Sequence, residues 1–328
     1  MPQNNDAIAV MLLCCRMSAT RQELFDPLSP QEYHALKQTL AKKLQKTPGW
    51  LIGRDIGELM QTVGVTEQEA HRLVVLMDRM VSLSYELDSY GRSGIELITI
   101  TDRRYPASLS RHLGPFAPPV LYVCGNVNLF REPVLAFAGS IPADDRSAAE
   151  ARLLADRTAQ AGMVLATSAT SGLDSIAREQ TLLNGGRLIE WVPGGLTEAV
   201  RGETAQKLLM EDRCVLCSIV HPDSPIQSQN ARSRSKCLYA SGVVSYVAGC
   251  EYKRGDTWEG AAEALRGHYT ERMLVWDTDA YSGNEMLLKR GAAGVSGVEE
   301  LNFSLIRARY DQDEGEQLSV FDDRHILF

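Results

Sequence analysis

The sequence predicts an α/β protein, a parallel sheet with helices on both faces preceded by a small helical domain. Three observations predict it. From about Val134, short apolar runs alternate with stretches of helical period, the pattern of strands buried between helices. The first hundred residues instead carry helix-start signals and apolar residues three and four apart. The loops after several predicted strands are rich in Gly, Ser, Thr and Asp, which suit tight strand-to-helix turns.

In chain order, the apolar run Ala7–Cys15 spans nine residues, well short of the roughly 20 that cross a bilayer. No basic segment or small-residue cleavage site frames it as a signal, so no membrane span is expected and the cytoplasm is the expected compartment. Ser29-Pro30-Gln31-Glu32 is a capping box with Pro at the first helical position, where its missing N–H costs nothing, and it predicts a helix through about Lys43. Thr66 and Glu69 repeat the device. After them Leu73, Val74, Met77, Met80 and Val81 recur as one apolar helix face, a core surface. Gly64-Val65-Thr66 has the look of a helix-hairpin-helix or sterile-alpha-motif turn. Predicted strands follow at 134–138, 163–166, 187–192, 214–220, 243–248 and 273–276. Six such strands with intervening helices make a Rossmann-like sheet. The expected division is a helical part at 1–100, the sheet domain at 101–309 and an acidic tail at 310–328.

The chain has 328 residues, 44% of them apolar and 23% charged, enough to bury an ordinary core. Thirty-four Lys and Arg against 42 Asp and Glu give a formal net charge of −8. That excludes a protein that coats duplex DNA non-specifically, although a local basic groove stays open. Seven Cys is an odd number, and without an export signal they read as reduced thiols. Cys214 and Cys217 form a C-x-x-C, but Val215 and Leu216 between them read as buried strand and no matching ligands accompany them. Neither metal nor cofactor is expected.

In a sheet of this kind ligands sit beyond the carboxyl ends of the strands, where helix N-termini present free N–H groups. Three loops there attract attention: Gly139-Ser140, Thr167 to Asp174 including Ser171 and Gly172, and Gly255-Asp256-Thr257. Small residues let backbone approach an anion, and hydroxyls add donors without bulk. None of the three is a P-loop or a G-x-G-x-x-G. Close by in sequence, Arg232, Arg234, Lys236, Lys253 and Arg254 face only Glu251 and Asp256 between residues 230 and 256, with Tyr239 among them. Cations for phosphates and a ring for stacking are what single-stranded nucleic acid requires.

The order of pieces resembles the DprA/Smf family of DNA-processing proteins. The resemblance is carried by Asp102-Arg103-Arg104-Tyr105-Pro106, Pro118 to Tyr122, Gly125-Asn126, Ala138-Gly139-Ser140, Ser171 to Asp174, Arg234-Ser235-Lys236, Leu238 to Ala240, Gly255 to Trp258, Gly283-Asn284 and Leu287 to Ala292. It covers roughly residues 8 to 295. It implies a Rossmann-like domain that binds single-stranded DNA, usually as a homodimer, assists loading of a RecA-type recombinase and is not an enzyme. Gly139, Ser140, Gly172, Asp174, Arg234, Lys236, Gly255 and Thr257 would then line or support the groove. The chain departs from the family pattern at Ile141, where an arginine is common, at Ala169 and Ser171, where glycine and arginine are usual, and at Ser235 and Asp256. Each change makes the groove less cationic or less open, which fits a specialised relative, for instance in phage defence.

An enzymatic alternative uses the same Gly255–Thr257 loop. It resembles the phosphate loop of the lonely-guy phosphoribohydrolases, whose acid lies three residues after the Thr; here that position is Gly260, and Glu263 stands nearly a turn further on. A non-catalytic nucleotide sensor is the related reading. The tail segment Gln317-Leu318-Ser319-Val320-Phe321 resembles the peptide that docks bacterial proteins on the sliding clamp, with Gln317, Leu318 and Phe321 as anchors after the acidic Asp311, Asp313, Glu314 and Glu316.

Overall fold

The computed structural model describes residues 4–20, 22–139 and 144–310. Five helices come first: α1 (Asn5–Cys14), α2 (Pro30–Thr39), α3 (Ile56–Thr62), α4 (Glu67–Met77) and α5 (Met80–Arg92). The chain continues through β1 (Glu96–Thr99), α6 (Ala107–Leu113), β2 (Val120–Gly125), β3 (Val134–Ala138), α7 (Asp145–Gln160), β4 (Val164–Thr167), α8 (Leu173–Leu183) and β5 (Arg187–Trp191). It closes with α9 (Leu196–Ala199), α10 (Glu203–Met210), β6 (Cys214–Ser218), α11 (Ser228–Ser241), β7 (Val244–Val247), α12 (Gly255–Gly267), β8 (Met273–Trp276), α13 (Ser282–Leu288) and β9 (Ala293–Val295).

The capping signals are formed as the sequence suggests. Ser29 Oγ accepts the Glu32 N–H at 3.3 Å while the Glu32 carboxylate accepts the Ser29 N–H at 2.7 Å, and Pro30 opens α2. Thr66 and Glu69 do the same for α4. A Ser or Thr cap of this type is worth about 1 kcal/mol. The apolar face after Thr66 does not run on unbroken: Asp78-Arg79 separates α4 from α5, leaving Met80 and Val81 exposed and placing Leu76 and Leu83 in the core. Arg79 turns inward at this break, donates to the carbonyls of Leu12 and Cys15 and pairs with Glu23.

All six predicted strands form, in a nine-stranded sheet of order β1-β2-β6-β5-β4-β3-β7-β8-β9. From β6 to β9 neighbours run parallel; β1 and β2 are antiparallel additions at one edge. Helices cover both faces, because the strands are apolar on both. One face carries Leu135, Leu165, Leu188 and Leu216 against α7 and α8, and its core continues into α1–α5. The other carries Ala136, Val164, Ile189 and Val215 against α6, α11 and α12. Cys214 belongs to the first face and Cys217 to the second, so the pair is split across the sheet and both thiols are buried. Among the described residues no helix is long and apolar enough to cross a membrane, and no three His, Cys, Asp or Glu side chains gather as a metal site.

Candidate nucleic-acid interface

The chain leaves β3 toward β4 on one side and returns to β7 on the other, so strand order reverses between β3 and β7. At such a switch point the loops diverge and open a crevice at the carboxyl edge. Gly139 ends β3, residues 168–172 follow β4, and residues 248–254 follow β7, so three of the sequence-selected regions meet there. Gly172 (φ +86°) and Gly255 (φ +80°) hold left-handed backbone at the starts of α8 and α12, a conformation that favours glycine.

Asp174 organises the β3 and β4 loops and does not face an anion. It is buried, accepts the Gly139 N–H at 2.8 Å, and returns its own N–H to the Gly139 carbonyl at 2.9 Å. Its second carboxylate oxygen takes the hydroxyls of Ser168 and Thr170. Burial raises its pKa above the ordinary aspartate value, with these hydrogen bonds and the Arg234 charge opposing the rise. Ser171 is exposed at the loop tip. Asn284 performs the same task on the other side, accepting the Cys250 N–H at 3.0 Å and donating to the carbonyls of Ala248 (3.3 Å) and Trp276 (2.9 Å).

The basic residues divide into buried and exposed sets. Arg234 is 3% exposed and donates to Asp256 Oδ2 at 3.0 Å, while its Nε has no hydrogen-bond partner among the described residues. Lys236 bonds Glu263 at 3.1 Å and lies over the rings of Phe116 and Tyr269, at 4.9 and 5.6 Å from their centroids. Arg232 is exposed and only loosely placed near Glu259 and Glu263, at 3.8 and 3.7 Å. Lys253 and Arg254 are exposed beside Gly255. Thr257 is buried in the first turn of α12.

The structure corrects the expected role of Tyr239. Its ring is 1% exposed, wedged where α11 crosses α12, and its hydroxyl reaches the Thr257 carbonyl at 3.4 Å. No base can stack on it without separating two helices. An accessible ring beside Lys253 is Tyr252, 37% exposed, edge-on to Trp258 with centroids 4.9 Å apart. Lys253 Nζ stands 5.0 Å from the Tyr252 ring centre and the Arg290 guanidinium 4.8 Å from that of Trp258. The sequence carries this signal as an aromatic immediately before Lys253-Arg254-Gly255. Ser140, Ile141, Gln317, Leu318 and Phe321 lie outside the described residues.

The position that a phosphoribohydrolase acid would occupy is closed. A Cβ at Gly260 would meet Ser235 Cβ at 2.6 Å and Tyr239 Cε2 at 3.1 Å, so this residue sits at the α11–α12 crossing. Glu263 is engaged by Lys236.

A family model described as DNA recombination-mediator protein A matches residues 96–305. Among solved structures, DNA processing protein A from Streptococcus pneumoniae is similar with a TM-score of 0.63 at 18% identity, covering 83% of this chain and 96% of that one. DNA processing protein A from Helicobacter pylori, described for its single-stranded DNA binding mode, gives 0.53 at 19% identity, covering 67% of this chain and 98% of that one. No curated protein matches the chain. At such identities the structural likeness establishes the fold, while the family model spans well over half of the sequence. On that match, together with the sheet just described, the chain belongs to the DNA recombination-mediator protein A family.

Proposed function

We propose that the chain binds single-stranded DNA along the carboxyl edge of its sheet and acts in DNA processing by binding, without chemistry of its own. The observation that carries the reading is the reversal of strand order between β3 and β7, with the glycine-bearing turns at Gly139, Gly172 and Gly255 and the exposed Lys253 and Arg254 at that edge of the sheet. Family membership supports it, and so does the single-stranded DNA binding mode described for the Helicobacter pylori relative. In this reading Arg232, Lys253 and Arg254 meet phosphates, Tyr252 offers a ring to a base, and Gly139, Gly172, Gly255 and Thr257 form the floor. Arg234 and Lys236 act as internal struts because their charges are already met by Asp256 and Glu263. Delivery of DNA to a RecA-type recombinase, homodimerisation and a cytoplasmic location belong to the same proposal. A role in phage defence belongs there too, as does clamp docking through Gln317, Leu318 and Phe321.

The test is a salt series of fluorescence anisotropy with labelled oligo(dT). Arg254→Ala and Lys253→Ala should each weaken binding and lower the slope of log affinity against log salt by about one. Arg234→Ala should leave that slope unchanged, because a cation already neutralised inside the fold releases no counterion. Absence of oligo(dT) binding, or an unchanged slope in both loop variants, would sink the reading.

A further inference from the structure

Strand β5 reads Arg187-Leu188-Ile189-Glu190-Trp191. A central parallel strand covered by helices on both sides is ordinarily apolar throughout, so a carboxylate in its middle is out of pattern. Glu190 is nevertheless buried, with its side chain 7% exposed. By register its neighbours on the same face are Thr167 of β4 and Leu216 of β6. From α8 above, Arg178 reaches one oxygen of the carboxylate at 3.3 Å.

This small cluster is under-satisfied. Among the described residues the buried Thr167 hydroxyl has no hydrogen-bond partner, nor has the Nε of Arg178. Buried polar groups are nearly always paired, since each unmet one costs free energy. Replacing a buried ion pair by apolar residues is often neutral or better for stability, so packing alone gives no reason to keep one here. A cavity of about 950 Å³ opens at this point, and Arg178, Glu190, Ala169, Leu208 and Leu216 help to line it. Its volume is in the range of small-molecule sites. The cluster lies at the carboxyl edge of β4, β5 and β6, the edge that carries the β3–β7 crevice, and Ala169 belongs to the loop that borders that crevice.

A carboxylate with a free oxygen accepts two neighbouring N–H groups; a guanidinium beside it donates to a carbonyl; apolar side chains pack against a flat ring. Among the common nucleobases only guanine presents two adjacent donors, N1–H and N2–H, next to an acceptor, O6. Adenine and cytosine would set a ring nitrogen acceptor against the carboxylate, and uracil or thymine would offer a single donor between two carbonyls. We propose that this cavity binds a guanine base, with Glu190 accepting from N1–H and N2–H and Arg178 donating to O6. The base could belong to single-stranded DNA or to a free guanine nucleotide. The assignment does not depend on oligo(dT) binding in the β3–β7 crevice.

Two experiments on the full chain test it and separate the sources. In the first, calorimetric titration compares GMP with AMP, CMP and UMP. In the second, anisotropy compares an oligo(dT) carrying one central dG with oligo(dT) alone and with the same strand carrying deoxyinosine. A bidentate contact of this kind discriminates by about tenfold or more. Preference for GMP alone identifies a free nucleotide, preference for the dG strand identifies a DNA base, and either supports the assignment. Deoxyinosine or IMP, which lack the N2 donor, should bind several-fold more weakly than their guanine counterparts. Glu190→Gln should erase the preference, because its amide turns a donor toward N1–H. Equal affinity across bases in both experiments, or a guanine preference that persists undiminished in Glu190→Gln, would overturn the proposal. Should that variant fail to fold, the inosine comparison on the unaltered protein decides: equal binding of guanine and hypoxanthine overturns it. If GMP binds while oligo(dT) does not, the cavity assignment stands and the DNA-binding reading falls.

Discussion

Arg234 and Arg254 show how little a charged residue's name says about its task. Both belong to one basic stretch of sequence, yet Arg234 is sealed beneath α12 against Asp256 while Arg254 stands in solvent. Asp174 is likewise a brace between loops, its burial compensated by four donors and acceptors. Glu190 lends itself to a pH measurement. Burial raises its carboxyl above the ordinary glutamate value, with Arg178 opposing. The folded chain therefore holds that proton more tightly than the unfolded chain, and Glu190 costs stability as pH rises through and above the ordinary value of 4.5. Glu190→Gln does not titrate. Its stability relative to the parent should be unimproved near pH 4 and improved at neutral pH, read from urea midpoints at the two pH values. A relative stability that falls toward neutral pH would mean that the attraction of Arg178 outweighs burial.

At the scale of elements, the α11–α12 pair decides which chemistry the crevice can host. Gly260 lets the helices approach so closely that Ser235 and Tyr239 fill the space of a side chain. Gly260→Ala should lower stability by about 1–3 kcal/mol through overpacking, although alanine is the better helix former by nearly 1 kcal/mol. Thermal unfolding checks the sign; a stabilised variant would show that the crossing is looser than these distances imply. The loop after β7 is the second such element, because Asn284 ties Ala248, Cys250 and Trp276 together and so fixes how Tyr252, Lys253 and Arg254 are presented.

Across the whole molecule, α1–α5 share a continuous core with one face of the sheet. Val10 to Leu13 are fully buried, α1 packs on β1 and β2, and the Tyr90 hydroxyl lies 2.9 Å from His221 Nε2 in the loop after β6. A fragment of residues 95–310 would expose Leu97, Val120 and Tyr122, which lie in that shared core. It should aggregate or lose cooperative unfolding, as light scattering and urea titration would report. A soluble fragment that unfolds cooperatively would establish the first part as an independent unit.

By itself the sequence determined the α/β class, the six central strands, the capping boxes of α2 and α4 and the glycine positions at the starts of α8 and α12. These rest on short-range rules, namely apolar runs, capping spacings and glycines at turns. The edge strands were less legible: β1 and β9 are only four and three residues long, and β2 starts directly after Pro118-Pro119. Only the tertiary structure decided which charges are free. Arg234 and Lys236 meet Asp256 and Glu263 across α11 and α12, partners 22 and 27 positions away in sequence, and Tyr239 disappears into the same contact. Glu190 lay unremarked within the predicted strand 187–192, and its meaning depends on Arg178 from α8 and the cavity above it. Local pattern fixes where a side chain sits along the backbone, whereas burial and pairing are set by chain segments that meet only after folding.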